Sequence, residues 1–199
     1  MREARLPITA TKFGAMKGYF GIGVEGISKA TNVGTLFRTA HAFGASFVFT
    51  VRAQYNRREG AQTDTSDTPR SVPTYHFADL AAFRLPLGCR LVGVEIADDA
   101  IDLPSFRHPR QAAYILGAER EGLSRDLQAQ CDYVVKIPTR FSVNLGVAGA
   151  LIMYDRLLAF GRHAPRPVAE GAPTEPVPLP VFGEPIYKRK ARIRARQAR

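Results

Sequence analysis

Residues 133–160 read YVVKIPTRFSVNLGVAGALIMYDRLLAF. The stretch opens on an apolar, β-branched run from Tyr133 to Ile137, crosses a proline and a short polar link, and closes in a helix-period run from Leu145 to Phe160. A strand handing over to a helix in this way is the unit of a parallel α/β sheet. The first ten helical residues, LGVAGALIMY, carry no charge on any face, so the helix is expected to be buried all round. They fall well short of the ~20 apolar residues of a bilayer span. Gly146, Ala148, Gly149 and Ala150 would let another backbone or a partner helix approach closely.

The same rhythm extends outward from Tyr19 to Phe160. Strands are expected at Tyr19 to Val24, Ser46 to Val51, Arg90 to Ile96, Ala113 to Gly117 and Tyr133 to Ile137. Helices are expected at Asn32 to Phe43, Ala78 to Phe83, Ser124 to Cys131 and Leu145 to Phe160, with Asn32 and Ser124 as capping residues. The fold class is therefore α/β, a mainly parallel sheet with helices on both faces. Ala53 to Pro73 is polar and aperiodic and reads as a long surface loop. Seven of the 14 prolines stand between His163 and Pro185, which makes that segment a semi-extended linker. The expected organisation is an N-terminal extension at 1–18, one domain at 19–162, the linker at 163–185 and a tail at 186–199.

Charge follows that division. The formal net charge is +10, and residues 188–199 (KRKARIRARQAR) hold seven basic and no acidic side chains, so most of the excess lies in the tail. Such a cluster contacts phosphates without reading sequence, and the tail is expected to bind RNA. With 45% hydrophobic and 23% charged residues in 199, the chain has a core to bury and is neither collagen-like nor wholly disordered. Cys89 and Cys131 form no CxxC pair, and the histidines at 41, 76, 108 and 163 have no ligand spacing, so neither a disulfide framework nor a metal site is expected. The absence of a signal-like or membrane-spanning run points to the cytoplasm.

Four stretches have residues suited to chemistry. Gly21-Ile22-Gly23-Val24-Glu25-Gly26 is a literal GxGxxG, the pattern of a dinucleotide loop, and Arg52 beyond the second strand would meet a 2′-phosphate, so an NADP-dependent oxidoreductase is one reading. The glycines lie inside an expected strand, however, where they would instead ease a close approach. Asn32-Val33-Gly34-Thr35-Leu36-Phe37-Arg38 opens the first helix, and Arg38 sits roughly 140° from Val33, off the core stripe; an asparagine cap and a solvated arginine would explain it equally. Leu116-Gly117-Ala118-Glu119 places a carboxylate where a strand ends, the usual ligand position in such folds. Ile137 to Ala148 leaves a strand and enters a helix, with Ser142 and Asn144 beside backbone N–H groups.

In this order and spacing, the last three stretches resemble the motifs of the SpoU (TrmH-like) class of the SPOUT RNA methyltransferases. The resemblance implies a C-terminal deep trefoil knot, S-adenosylmethionine as cofactor with no metal, a homodimer with the site near its interface, and methyl transfer to a ribose 2′-hydroxyl of tRNA or rRNA. It further implies Arg38, Asn32, Glu119, Ser142 and Asn144 as catalytic residues and Val94, Gly117, Ile137 and Leu145 around the adenosine. A guanidinium is a poor base near neutrality, so Arg38 is expected to hold RNA phosphate and developing alkoxide charge, with Asn32, Glu119 and Asn144 orienting it. Only Thr139, Arg140 and Phe141 separate Ile137-Pro138 from Ser142, a shorter link than the family's. A noncatalytic RNA-binding or assembly protein on the same fold is the competing reading.

Overall fold

The computed structural model describes residues 18–54, 71–119, 121–161, 163–164 and 166–171. The chain divides into two units, 1–161 and 162–199. The second holds few described residues, and the basic tail lies outside them, as do residues 55–70 of the polar loop.

The first unit is built on seven strands: β1 (Tyr19–Glu25), β2 (Phe47–Val51), β3 (Thr74–Phe77), β4 (Arg90–Val94), β5 (Ile101–Asp102), β6 (Gln111–Leu116) and β7 (Tyr133–Lys136). They form one sheet in the order β3-β2-β1-β6-β4-β7-β5, and every pairing between them is parallel. Its helices are α1 (Ala30–Ala42), the single turn α2 (Arg125–Gln128) and α3 (Leu145–Phe160). A parallel sheet is stable only when both faces are covered, and here they are. Phe20, Ile22 and Val24 alternate toward the face that also buries Leu36, Ala40, Ala148 and Ile152 of α1 and α3. Phe49, Val51, Ala113 and Ile115 point the other way, onto Leu127 of α2 and Phe83.

Five strands and three helices fall where the sequence pattern puts them, with no end shifted by more than three residues. Three expectations need correcting. Ala78 to Phe83 is not a helix: Asp79 Oδ1 accepts the N–H of Ala82 at 2.7 Å and holds the segment in a turn. Asn32 does not cap α1, because the helix starts at Ala30 with Lys29 at the N-cap and no capping side chain. Helix α3 is not buried all round, since Val147, Leu151, Tyr154 and Leu158 are 38–50% exposed. Strands β3 and β5 escaped notice because both are short sheet edges with little apolar pattern.

Gly21 and Gly23 also find their explanation. A Cβ on either would run into the ring of Phe47 or Phe49, so these positions seat two aromatic side chains inside the sheet. Arg52 pairs with Glu25 at 3.3 Å. The GxGxxG is thus strand packing, since its first two glycines lie inside β1 and α1 begins only four residues beyond the third, and the oxidoreductase reading loses its motif.

Candidate active site

The carboxyl ends of parallel strands leave a crevice where backbone N–H groups and loop side chains converge. Here the ends of β4, β6 and β7 open onto a cavity of about 530 Å³. Val94, Leu116, Ile137 and Leu145 form apolar walls, and Glu95, Glu119 and Glu121 bring carboxylates. No basic side chain stands among the described residues lining it.

The junction after β6 is compressed. Gly122 donates its N–H to Ala118 O at 2.8 Å, and a Cβ at Gly117 would strike the backbone of Gly122 and Leu123. Gly122 has φ +66°, a conformation that costs glycine little and other residues more. Glu95 straps this turn to β4, its Oε2 accepting the N–H of Leu123 at 2.6 Å. Buried Glu25, at the end of β1, accepts both the N–H and the hydroxyl of Ser124 at 2.8 and 2.7 Å. Ser124 in turn caps α2 through Leu127.

Glu119 ties three chain segments together. Its Oε1 accepts from Asn32 Nδ2 at 2.6 Å and from Asn144 Nδ2 at 3.0 Å, while Oε2 pairs with Lys29 Nζ at 2.7 Å. These residues are 87, 25 and 90 positions away in sequence. Asn144 has two tasks: it caps α3 by accepting the N–H of Gly146 on Oδ1 at 2.9 Å and donates its amide to Glu119. The two helices meet closely there, because a Cβ at Gly146 would lie 2.9 Å from Thr35 Cγ2 of α1. Asn32 is no cap because it lies inside the first turn of α1, and from there its amide donates to a carboxylate across the fold.

Of the residues singled out from the sequence, Val94, Gly117, Glu119, Ile137, Ser142, Asn144 and Leu145 all line the cavity. Asn32 lines a smaller one beside it. Arg38 lines neither: it is exposed, six residues or about 9 Å along α1 from Asn32, and has no hydrogen bond or ion pair among the described residues. Asn32, Glu119 and Asn144 therefore orient one another, and none of them is bonded to Arg38. Sequence reasoning missed Lys29, Glu25 and Glu95. Each is an isolated charged residue whose partner is distant in the chain, and no local pattern marks it.

A model of the SpoU rRNA Methylase family matches residues 20–154. An Archaeoglobus fulgidus protein named as an uncharacterized tRNA/rRNA methyltransferase is 29% identical over 144 residues, covering 69% of this chain and 63% of its own length. The tRNA (guanosine(18)-2′-O)-methyltransferase of Escherichia coli K12 is 28% identical over 137 residues, 66% of this chain and 60% of its own. The chain thus spans less than two thirds of either relative. Among solved structures, the SpoU methyltransferase AviRb from Streptomyces viridochromogenes, in complex with AdoMet, superposes with a TM-score of 0.62 at 22% identity, covering 74% of this chain and 61% of that one.

Proposed function

This chain belongs to the SpoU rRNA methylase family, and from that premise we propose that it transfers the methyl group of S-adenosylmethionine to a ribose 2′-hydroxyl of tRNA or rRNA. The observation that carries the reading is the Glu119 carboxylate, bonded to Asn32 and Asn144 at the edge of the cavity beyond β4, β6 and β7. That cavity suits the cofactor: its apolar walls match an adenine ring, and its carboxylates match a cationic sulfonium and ammonium. When bound, the cofactor supplies an electrophilic methyl carbon. The protein then has to hold the acceptor oxygen in line and ease the loss of its proton.

In this proposal Gly117, Ile137 and Leu145 grip the adenosine, Val94 packs on it, and Ser142 and Asn144 fix the end of the cofactor next to Glu119. Arg38, a permanent cation without a partner among the described residues, meets an RNA phosphate outside the two cavities. The basic tail adds phosphate contacts whose strength falls with salt. The trefoil knot is carried over with family membership as part of the same proposal, as is a cytoplasmic location. No helix among the described residues is long and apolar enough to cross a membrane, and no group of His, Cys, Asp or Glu among them is placed to hold a metal ion.

The test combines binding with turnover. Calorimetric titration should detect S-adenosylmethionine binding, and labelled donor should transfer methyl groups to bulk tRNA or rRNA. Arg38→Ala should abolish transfer while cofactor affinity stays near that of the wild type. RNA binding without any label incorporation would instead favour the noncatalytic assembly protein.

The homodimer belongs to the proposal through α3. Val147, Leu151, Tyr154 and Leu158 recur at spacings of four, three and four, which is the seam of a helix pair, and they leave an apolar stripe open along α3. A second copy of this chain covers it by symmetry, since the same stripe meets itself across a two-fold axis. Leu151→Glu should convert a dimer into a monomer in sedimentation velocity at micromolar protein, and an unchanged sedimentation coefficient would refute the assignment.

A further inference from the structure

The described residues hold a second cavity, of about 270 Å³, on the far side of the turn that bounds the donor pocket. Ala118, Glu119 and Glu121 line both cavities, while Ser28, Lys29 and Asn32 belong to the smaller one alone. We propose that this cavity receives the ribose-phosphate of the acceptor nucleotide and that Lys29 is its positioning residue. The inference rests on the methyl-transfer reading of the larger pocket, and adds where the acceptor sits and which cation holds it.

Three observations converge on it. An acceptor oxygen must come within about 3–3.5 Å of the donor carbon to react, so its binding space has to adjoin the donor pocket. The smaller cavity does so, divided from it by Glu119 and Ala118. Its size, about half that of the donor pocket, falls below the range that encloses a whole drug-sized ligand, so it takes a sugar and leaves the base outside. Its lining offers both donors and acceptors from a hydroxyl, an amide, an ammonium and two carboxylates, which is what a hydroxyl-bearing sugar asks for.

The phosphate has its own reason to be there. Lys29 is the N-cap of the 13-residue α1, and that helix has no side-chain cap and no acidic residue in its first turn. The Glu119 carboxylate already stands against this helix start, bonded to Lys29 at 2.7 Å and to Asn32 at 2.6 Å, so the phosphate is met at the cavity mouth by the Lys29 ammonium and not by the helix end. Lys29 is exposed and leans on Glu119 at 2.7 Å, so its ammonium stands at the mouth of the cavity, open to an incoming phosphate. Arg38, the cation that the sequence motifs indicate, lines neither cavity.

The experiment uses full-length protein, with Lys29→Ala, Lys29→Arg and the cavity-filling Ser28→Phe. A short mixed-sequence oligoribonucleotide and its deoxyribose counterpart serve as binding probes at one salt concentration, and bulk tRNA and rRNA serve as substrates. Phosphate contacts such as those of the tail do not distinguish ribose from deoxyribose, but a ribose cavity does. Wild-type protein should prefer the ribo-oligonucleotide, and Lys29→Ala and Ser28→Phe should shrink that preference. Lys29→Ala should also lower kcat/KM for RNA about tenfold or more, with Lys29→Arg restoring most of it and calorimetric S-adenosylmethionine affinity unchanged in all three. No ribose preference in the wild type, an unaltered preference in both Lys29→Ala and Ser28→Phe, or a parallel loss of cofactor affinity overturns the proposal. Failure of the underlying methyl-transfer reading shows separately, as wild-type protein that binds no S-adenosylmethionine.

Discussion

Glu119→Gln should reduce methyl transfer by about a hundredfold or more, the order of loss that misplacing reacting groups by an ångström produces. The substitution keeps the shape of the side chain, and its remaining carbonyl oxygen can still accept from Asn32 and Asn144. What it cannot do is pair with Lys29. An NH₂ group replaces Oε2, which now lies 2.7 Å from Nζ, and two donors then face each other. Lys29 swings away, and the junction of α1, the turn after β6 and the start of α3 loses its charged clamp. Single-turnover methyl transfer measures the effect, and urea unfolding within about 1 kcal/mol of the wild type would show that the fold survives, as expected for a partly exposed ion pair. A rate within about threefold of the wild type would mean that the clamp is ornamental to the reaction. Glu119→Ala should be worse still, because both amides lose their acceptor as well.

Arg156→Ala should cost about 3–5 kcal/mol of stability, the range found when a buried, hydrogen-bonded charged group is removed. Arg156 is 1% exposed. Its guanidinium donates to the carbonyl oxygens of Pro109, Tyr19 and Arg110 and to the hydroxyl of Tyr114 at 2.6–3.2 Å, and it lies over the rings of Phe20, Tyr114 and Phe160. It thereby joins the end of α3 to the starts of β1 and β6, the end of the sheet opposite the cavity. Arg110 O keeps a partner in Tyr19 N–H, but Pro109 O loses its part-buried bond to the guanidinium. The neighbouring hydroxyl is equally committed: Tyr114 donates to His108 Nδ1 at 2.6 Å, and His108 Nε2 donates to Asp155 at 2.8 Å. Burial holds the imidazole below its ordinary range and therefore neutral, and pushes the Tyr114 hydroxyl up to about 12. Thermal unfolding should show the loss as a midpoint drop of roughly 10 °C, at 2–4 °C per kcal/mol for a domain of this size. Arg156→Met should recover some packing but not the carbonyl bonds, and a cost below about 1 kcal/mol for Arg156→Ala would contradict this account.

Much of the sheet was legible because parallel strands buried on both faces read as short β-branched or apolar runs, and five of the seven do. The helix from Leu145 to Phe160 was legible to the residue, although its cap, Asn144, was found only in the structure. Short edge strands were not, because half their contacts are with solvent and they need no apolar alternation. The exposed stripe on α3 shows the limit from the other side. An uncharged helix reads as buried, whereas the first unit alone leaves four of its apolar side chains open. Composition records that a face avoids water but not which molecule covers it.

The amino-acid sequence by itself determined the alternation of strands and helices and the three strand-to-helix junctions with Asn32, Glu119 and Asn144 at their heads, because hydrophobic period and residue type are local properties. Only the tertiary structure decided that Lys29 and not Arg38 meets the Glu119 carboxylate, that Asn32 lies inside its helix and donates its amide to that carboxylate, and that a second cavity shares the wall. A hydrogen bond depends on where two atoms stand, and residues some 90 positions apart have no fixed separation until the sheet between them has closed.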